Sequence, residues 1–249
     1  MTSVCVIPAR FASSRLPGKP LAKIGNKPMI QWVYEQAVKA DKIDRVIVAT
    51  DHADIEKEVE SFGGEVVMTD PELASGTDRV AAAVQKIDTD IVINLQGDEP
   101  FVEPELLNKL VSAFSDSEIY MATPIRKIES LEDLNDPNLV RVVKDVNNYA
   151  LYFTRNVIPY LRDHNKKEWI NKFKYFKHVG IYAYRLTFLN ILTTLSVSEL
   201  EKAERLEQLR VLENGYRIYT IETDYDSMSV DTPEDLIKVN QLLENKKIG

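Results

Sequence analysis

A short basic segment follows the first apolar run of the chain, and its side chains could bind phosphate. Arg10, Arg15 and Lys19 fall within the stretch IPARFASSRLPGKPL. Arginine presents a planar fork to phosphate oxygens and lysine a compact charge, while the prolines and glycine of residues 17–20 limit the freedom that binding would remove. The sequence contains neither a G-x-x-x-x-G-K-[ST] nor a G-x-G-x-x-G pattern, so side-chain cations would do much of the phosphate binding. A solvated basic loop is the alternative.

The charge distribution favours a small polyanion as the ligand of this segment. The chain has a net charge of −8, yet its first acidic residue is Glu35 and five basic residues precede it. An acidic protein is a poor candidate for non-specific nucleic-acid binding. We therefore expect no nucleic-acid partner.

Two aspartates are placed to hold a divalent cation. Asp98 follows an apolar run that predicts a buried strand, within NLQGDEP, and Asp231 ends a second predicted strand, within SVDTPEDL. In open α/β sheets ligands lie beyond the carboxyl ends of the strands, and carboxylates opposite a cationic loop commonly hold Mg²⁺ against phosphates. Ordinary turns explain the same residues, since Thr232 and Pro233 also make a good helix start.

The segment ASGTDR at residues 74–79 could lie against the same ligand. Ser75 and Gly76 permit close approach to the backbone, and Thr77 can cap the helix that follows. A simple helix cap explains most of the segment. Arg79 is less expected in a first helical turn, where cations are unfavourable, and we predict that it faces a ligand.

Residues 199–213 predict one amphipathic helix with two charged residues inside its apolar arc. Glu207 and Arg210 fall in that arc, where side chains are either paired or functional. Both explanations stay open. The arc consists of the following apolar side chains: Leu200, Ala203, Leu206, Leu209 and Val211.

The pattern of reactive residues argues against a covalent catalytic mechanism. His52, His164 and His178 occupy unrelated positions, and no G-x-S-x-G or H-E-x-x-H motif is present. Cations together with two carboxylates favour metal-assisted phosphoryl or nucleotidyl transfer, which needs positioning and charge neutralisation.

The elements that would position these residues indicate an α/β fold. Strands and helices alternate through the first half, which predicts a parallel sheet covered on both faces. Near residue 130 the pattern changes, and LVRVVKD and YALYFTR predict an antiparallel hairpin. Residues 162–177 are polar and irregular and predict an exposed excursion. We expect a single domain, 1–249, with an inserted antiparallel portion at roughly 130–185.

Composition excludes several classes of protein. The apolar runs are far too short for a membrane span, no signal-peptide pattern opens the chain, and no basic amphipathic helix suggests a membrane surface. Cys5, the single cysteine, rules out a disulfide framework. We therefore expect a cytoplasmic protein with no membrane partner.

Eight motifs, in order, resemble those of the 3-deoxy-manno-octulosonate (Kdo) cytidylyltransferase family. They are IPARFASSRLPGKPL, VATD, ASGTDR, NLQGDEP, YALYFTR, HVGIYAYR, LEQLRVLENG and VDTPEDL, and they extend from about residue 4 to about residue 240. Sugar nucleotidyltransferases share the first motif widely, whereas HVGIYAYR with LEQLRVLE is much more specific. Small departures, such as Phe11 where tyrosine is common, do not touch the proposed chemistry.

The resemblance implies a fold, a reaction and a set of site residues. The fold would be the Rossmann-like nucleotide-diphospho-sugar transferase fold, commonly a homodimer formed through the inserted portion. The anomeric hydroxyl of Kdo would attack the α-phosphorus of CTP, forming CMP-Kdo for lipopolysaccharide biosynthesis and releasing pyrophosphate, with Mg²⁺ required. The implied roles are these: Arg10, Arg15 and Lys19 on the triphosphate, Ser75, Gly76 and Arg79 near the cytosine, Asp98 and Asp231 on the metal, and Gln96, His178, Tyr182 and Glu207 at the sugar.

Other functions remain compatible with the sequence. A related branch of the family activates 8-amino-Kdo, and another acid sugar or a phosphorylated alcohol could use the same basic segment. A non-catalytic nucleotide-binding module would bind CTP without turnover, although it would have less need of two metal ligands.

Overall fold

The computed structural model describes residues 1–12 and 15–247, apart from the side chains of residues 245–247. The strands are β1 (Ser3–Ala9), β2 (Lys23–Ile24), β3 (Lys27–Pro28), β4 (Arg45–Thr50), β5 (Val66–Met68), β6 (Ile91–Asn94), β7 (Met121–Lys127), β8 (Arg141–Lys144), β9 (Ala150–Thr154), β10 (Phe176–His178), β11 (Tyr182–Arg185) and β12 (Tyr219–Thr223). The α-helices are α1 (Met29–Val38), α2 (Ala53–Ser61), α3 (Gly76–Val84), α4 (Pro104–Ala113), α5 (Leu131–Asn135), α6 (Trp169–Lys172), α7 (Leu186–Leu192), α8 (Glu199–Glu204), α9 (Gln208–Glu213) and α10 (Pro233–Lys247).

Residues 1–112 and 227–249 form one compact unit built on a parallel sheet. Its strands lie in the order β5–β4–β1–β6, with Val6 beside Ile47 on one side and beside Asn94 on the other. Strands β1 and β4 are almost wholly buried, as apolar runs in a covered parallel sheet must be. Helices α1 and α3 contact both of these strands. The parallel sheet predicted from the alternating pattern is confirmed.

The C-terminal segment returns to this unit and packs beside its start. Val230 and Val239 share an apolar cluster with Ile24 and Met29, and the backbone N–H of Val230 donates to the carbonyl of Asp98 at 3.0 Å. The strand predicted to end at residue 231 is wrong, because residues 224–230 are irregular. Burial of the two valines, rather than a sheet ladder, holds this segment in place.

Residues 113–226 form a second compact unit, built mainly on antiparallel pairing. Its strands lie in the order β11–β7–β10–β8–β9, and β12 pairs with β7 in parallel. The predicted hairpin is confirmed as β8 and β9, with Val142 opposite Phe153. The motif HVGIYAYR is divided between β10 and β11, and at the break the Thr123 hydroxyl lies 3.2 Å from the carbonyl of Val179 and 2.8 Å from that of Ile181.

The polar segment 162–177 is exposed over most of its length, as its composition predicts, but two of its aromatic residues anchor it. Trp169 and Tyr175 are buried in a small core with Ile128 and Leu134. The indole N–H of Trp169 donates to a backbone carbonyl, and the Tyr175 hydroxyl does the same. Trp169 and Tyr175 thus anchor a segment whose other residues are mostly exposed, among them Lys166, Lys167, Lys172 and Lys174.

The helix predicted over 199–213 is divided in two. Helix α8 ends at Arg205, whose φ of 56° is left-handed, and α9 begins three residues later. The apolar arc drawn on a continuous helix is therefore wrong, and Leu200 and Ala203 from that arc are exposed. The capping box between Ser198 and Glu201 starts α8 independently of any apolar periodicity.

The sequence predicts a single domain with an insertion at roughly 130–185. The division into two compact units does not test this, and it stays a prediction. Among the described residues, no helix combines the length and the apolar character needed to cross a bilayer.

Candidate active site

The described residues of the basic segment after β1 are joined by backbone hydrogen bonds. The backbone N–H of Gly18 donates to the carbonyl of Phe11 at 3.2 Å, and a short 3₁₀ turn follows over Lys19–Leu21. Gly18 has a φ of 66°, a left-handed conformation that glycine adopts without strain. This turn places the Lys19 side chain next to the carboxyl end of β6.

Lys19 lies between the two predicted metal ligands. Its ammonium nitrogen is 2.6 Å from Oδ2 of Asp98 and 3.0 Å from Oδ1 of Asp231. A guanidinium nitrogen of Arg15 is 3.0 Å from the same Asp231 oxygen. Partial burial acts to lower the pKa of Lys19, but the charges and hydrogen bonds of the two aspartates outweigh it and the pKa is raised. The two carboxylates therefore converge on one cationic point.

That convergence fits a divalent cation. Two carboxylates that share one ammonium could share Mg²⁺ instead, with phosphate oxygens and water as the remaining ligands. Within the described chain, no group of three or more acidic, imidazole or thiol side chains converges as a ready-made metal centre. The donor set therefore matches an ion that arrives with a phosphate ligand.

A cavity of about 370 Å³ opens over these charges. Gly97 lines this cavity, and a Cβ at that position would lie 3.2 Å from the carbonyl oxygen of Pro8, so its close approach to the end of β1 favours glycine. The Gln96 amide donates to the Asn94 side chain at 3.0 Å. The lining residues are Pro8, Ala9, Arg10, Arg15, Lys19, Pro20, Gln96, Gly97, Asp98 and Asp231.

A second cavity of about 170 Å³ adjoins the N-terminus of α3. The cap of this helix is Ser75, not Thr77 as predicted, because the Ser75 hydroxyl accepts the Asp78 N–H and the Asp78 carboxylate accepts the Ser75 N–H, both at 3.1 Å. Thr77 is instead buried inside the first turn. The lining residues, three of them shared with the larger cavity, are Pro8, Arg10, Leu73, Ala74, Ser75, Gly76, Arg79 and Gln96.

Arg79 lines this cavity and also has a structural partner. One of its guanidinium nitrogens lies 2.8 Å from Oδ2 of Asp51, and the other donates to the Thr69 hydroxyl. Only 3% of Arg79 is exposed. The ion pair with Asp51 explains how a cation is stable in the first turn of α3, and the predicted ligand contact stays a prediction.

The second unit holds the three other predicted site residues close to one another. The rings of His178 and Tyr182 have centroids 5.3 Å apart, and Phe153 packs edge-on against His178 at 5.2 Å. Burial raises the pKa of Tyr182 well above its usual value, with smaller contributions from Tyr184 and Glu207, so the tyrosine is a neutral hydroxyl.

His178 is neutral, and its neighbours determine its tautomer. Burial lowers the pKa of His178 to about 3. The Thr123 hydroxyl, 2.9 Å from Nε2, has one hydrogen and directs it to the backbone carbonyls of Val179 and Ile181. The hydroxyl oxygen therefore accepts from Nε2–H, and Nδ1 of His178 becomes the acceptor nitrogen.

Glu207 and Arg210, which sequence alone left unresolved, have different surroundings. Arg210 pairs with Glu201 through two nitrogens at 2.7 and 2.6 Å, so structural pairing accounts for it. Glu207 precedes α9 and lines a cavity of about 450 Å³ with Arg205 and three other residues of the same unit.

A polar residue beside Glu207 was not among the site residues predicted from the sequence. Gln208 is 5% exposed, and its Nε2 has no hydrogen-bond partner among the described residues. A buried amide without a partner is costly, which marks it as a candidate ligand contact. Its position inside LEQLRVLENG is the only signal that the sequence offers.

Similarity to known proteins extends over nearly the whole chain. A family model described as Cytidylyltransferase matches residues 4–218. A 3-deoxy-manno-octulosonate cytidylyltransferase of Cytophaga hutchinsonii is 50% identical over 239 residues, 95% of this chain and 95% of the relative. The chain belongs to the 3-deoxy-manno-octulosonate cytidylyltransferase family. A relative of this cytidylyltransferase in Parabacteroides distasonis, with the same description, is 46% identical over 99% of this chain and 100% of its own.

A solved structure supports both the family of this cytidylyltransferase and its fold. The structure of a CMP:2-keto-3-deoxy-manno-octonic acid synthetase complexed with CTP matches with a TM-score of 0.92 and 43% identity, over 99% of this chain and 100% of the other. The resemblance recognised in the motifs and the α/β nucleotide-diphospho-sugar transferase fold are therefore both confirmed.

Proposed function

We propose that this cytidylyltransferase transfers CMP from CTP to the anomeric hydroxyl of Kdo, forming CMP-Kdo and releasing pyrophosphate. The relatives described above are enzymes of that name, and the matching solved structure is a complex with CTP. The proposal rests on one observation: the carboxylates of Asp98 and Asp231 both contact the ammonium group of Lys19, a residue of the basic loop.

The first unit provides the nucleotide side of the reaction. Arg10, Arg15 and Lys19 would bind the triphosphate, since all three line the larger cavity. The cytosine would occupy the smaller cavity, against Ser75 and Gly76, with Arg79 in its wall. The shared wall of the two cavities suits a ligand with a ring at one end and phosphates at the other.

Asp98 and Asp231 would hold Mg²⁺, which when bound would neutralise charge that develops on the phosphates. Lys19 then exchanges its carboxylate partners for phosphate oxygens. Such positioning and neutralisation lower the barrier without a covalent intermediate, which agrees with the absence of a nucleophile–base motif from the sequence.

The sugar side would use polar groups with fixed protonation. His178 offers Nδ1 as an acceptor to a sugar hydroxyl, and Tyr182 offers a neutral phenol as donor. Glu207 and the unpartnered amide of Gln208 would bind further hydroxyls, and Gln96, which lines both nucleotide cavities, is also proposed as a sugar contact. A sugar rich in hydroxyls matches this set.

We also propose a cytoplasmic homodimer formed through residues 130–185. Support comes from apolar side chains exposed in that range, namely Val146, Leu151 and Tyr160, which are 97, 61 and 74% exposed. Light scattering of the purified protein, with Leu151→Glu as the test variant, measures this directly.

A coupled assay of pyrophosphate release tests the function. Release should require CTP, Kdo and a divalent cation together, and 8-amino-Kdo run beside Kdo identifies which of the two is preferred. Equal activity with UTP, or with glucose 1-phosphate in place of the acid sugar, would overturn the assignment. Saturable CTP binding without turnover on any acid sugar would indicate a nucleotide-binding module instead.

A further inference from the structure

The residues that follow β4 contact a wall residue of the smaller cavity and the basic loop, without lining either cavity. Asp51 lies between them: Oδ2 accepts from Arg79 at 2.8 Å, and Oδ1 accepts a long hydrogen bond from the backbone N–H of Phe11 at 3.4 Å. Arg79 belongs to the wall of the smaller cavity, and Phe11 belongs to the basic loop. The Asp51 carboxylate therefore contacts both Arg79, in the wall of the cavity proposed for cytosine, and Phe11, in the basic loop proposed to bind the phosphates.

A ring stack strengthens the connection to the basic loop. The rings of Phe11 and His52 are stacked, with centroids 4.0 Å apart and planes inclined by 15°. The carbonyl of Phe11 accepts the N–H of Gly18, immediately before Lys19. The loop that carries Arg10 and Lys19 is therefore closed on Phe11, and Phe11 is held by the end of β4.

His52 also has a separate role that stabilises the fold. It is the N-cap of α2, and its Nδ1 accepts the backbone N–H of Asp54 at 3.2 Å. Ring stacking and capping use different features of the same side chain, so substitution can remove one and keep the other. Asparagine is a good cap without a ring, and phenylalanine is a ring without a cap.

We infer that Asp51 and His52 are positioning residues for the nucleotide. They act through their contacts with Arg79 and Phe11, which hold the basic loop next to the wall of the smaller cavity. One molecule of CTP then contacts both the loop and that wall. The inference rests on the proposed function and adds to it residues that touch no substrate. Pre-organisation of this kind strengthens binding by reducing the order that the ligand must impose.

The test compares His52→Asn with His52→Phe. CTP affinity is measured by titration calorimetry without the sugar, KM and kcat are measured by pyrophosphate release, and Tm is measured by calorimetry. His52→Asn should raise the Kd and KM for CTP about fivefold, equivalent to about 1 kcal/mol for an aromatic pair, with kcat changed less than about twofold. His52→Phe should keep the wild-type Kd while its Tm falls.

Two further variants exclude a merely structural effect. Phe11→Leu should weaken CTP binding like His52→Asn, and the double variant should lose no more than either single one, because the two rings form one contact. Ser130→Ala removes the cap of α5, where the Ser130 hydroxyl accepts the Asp133 N–H, and should lower Tm without changing the Kd for CTP.

The outcomes separate this inference from the proposed function. If the wild-type protein neither binds CTP nor releases pyrophosphate, the proposed function is wrong. If the wild type does both and the Kd of His52→Asn equals that of the wild type, the positioning role is wrong. Equal weakening by His52→Asn and His52→Phe would assign the effect to stability and would also overturn the inference.

Discussion

The ammonium nitrogen of Lys19 lies 2.6 Å from a carboxylate oxygen of Asp98. The same nitrogen contacts Asp231, and the three side chains are 18, 20 and 34% exposed. Two carboxylates brought this close would repel each other without a cation, so Lys19 stabilises the pair in the protein free of ligand. A divalent cation held by these two aspartates, as proposed, would therefore compete with Lys19 for one position.

Removal of Lys19 should strengthen metal binding to the free protein. One charge at about 4 Å is worth about 1 to 4 kcal/mol near a surface, so Lys19→Met should lower the Kd for Mn²⁺ about tenfold or more. Electron paramagnetic resonance in the absence of nucleotide measures this. Lys27→Met, which breaks a lysine pair with Glu35 elsewhere in the same unit, is the matched control. An unchanged Mn²⁺ affinity in Lys19→Met would contradict the competition.

The same ion pairs should make stability depend on pH at the alkaline end. The pKa of Lys19 is raised above its usual 10.5 in the folded protein, so its contribution is complete below pH 10.5 and is lost as pH rises through the folded pKa. The difference in free energy of unfolding between wild type and Lys19→Met should be constant from pH 7 to about 9 and should shrink above about 10.5. Urea titrations across this range provide the measurement, and a difference that grows with pH would refute it.

Asp98→Asn should abolish most pyrophosphate release while the protein stays folded. In the proposed role Asp98 binds Mg²⁺, so its loss would remove charge stabilisation from the reaction, and a decrease in kcat of roughly a hundredfold or more is expected. Asp90→Asn, at the other end of β6, is the control and should keep full activity. Near-normal turnover by Asp98→Asn would rule out the metal role.

Sequence alone predicted the parallel sheet of the first unit, because its strands are apolar runs that are easy to recognise, but it wrongly placed a strand before Asp231. The ends of β1 and β6 give the positions of Lys19 and Asp98 directly. It did not predict the buried pair of Arg79 with Asp51, since the two residues lie on different elements and no local pattern links them. The capping role of Ser75 was missed because Thr77 is an equally good cap in isolation.

His178 should stay neutral throughout the working range of pH. Burial lowers its pKa to about 3, and an unfolded histidine takes up a proton below pH 6.5, so stability should fall as pH drops from 6.5 toward 3. The contribution is at most about 1.4 kcal/mol per pH unit. His178→Gln keeps a donor for Thr123 and should lose this part of the slope in urea titrations between pH 4 and 6.5. Equal slopes would show that His178 is accessible to protons.

The ion pair of Arg210 with Glu201 should stabilise the second unit. Both side chains are 13% exposed, so Arg210→Met leaves a largely buried carboxylate unpaired and should cost about 2 to 3 kcal/mol of unfolding free energy. Glu201→Gln combined with Arg210→Met should recover part of the loss, because neither partner is then charged. A double variant as unstable as the sum of the single ones would contradict the pairing.

The second unit was harder to predict from sequence, and its helices show why. The periodicity of residues 199–213 predicts a continuous helix, but Arg205 has a left-handed backbone conformation that interrupts it. Arginine rarely adopts this conformation, so its presence does not predict a turn. Composition likewise does not predict the burial of Trp169 in a lysine-rich segment, because two buried aromatic residues among many charged ones hardly change the mean hydropathy of the segment.

The carboxylates that share Lys19 come from the two separate stretches of chain that make up the first unit. Asp98 lies in residues 1–112 and Asp231 in residues 227–249, with the whole of the second unit encoded between them. During synthesis the basic loop and Asp98 leave the ribosome long before Asp231 exists. A chain interrupted anywhere before residue 231 therefore lacks one of the two carboxylates. Activity that depends on both carboxylates would then show that synthesis had continued through both units.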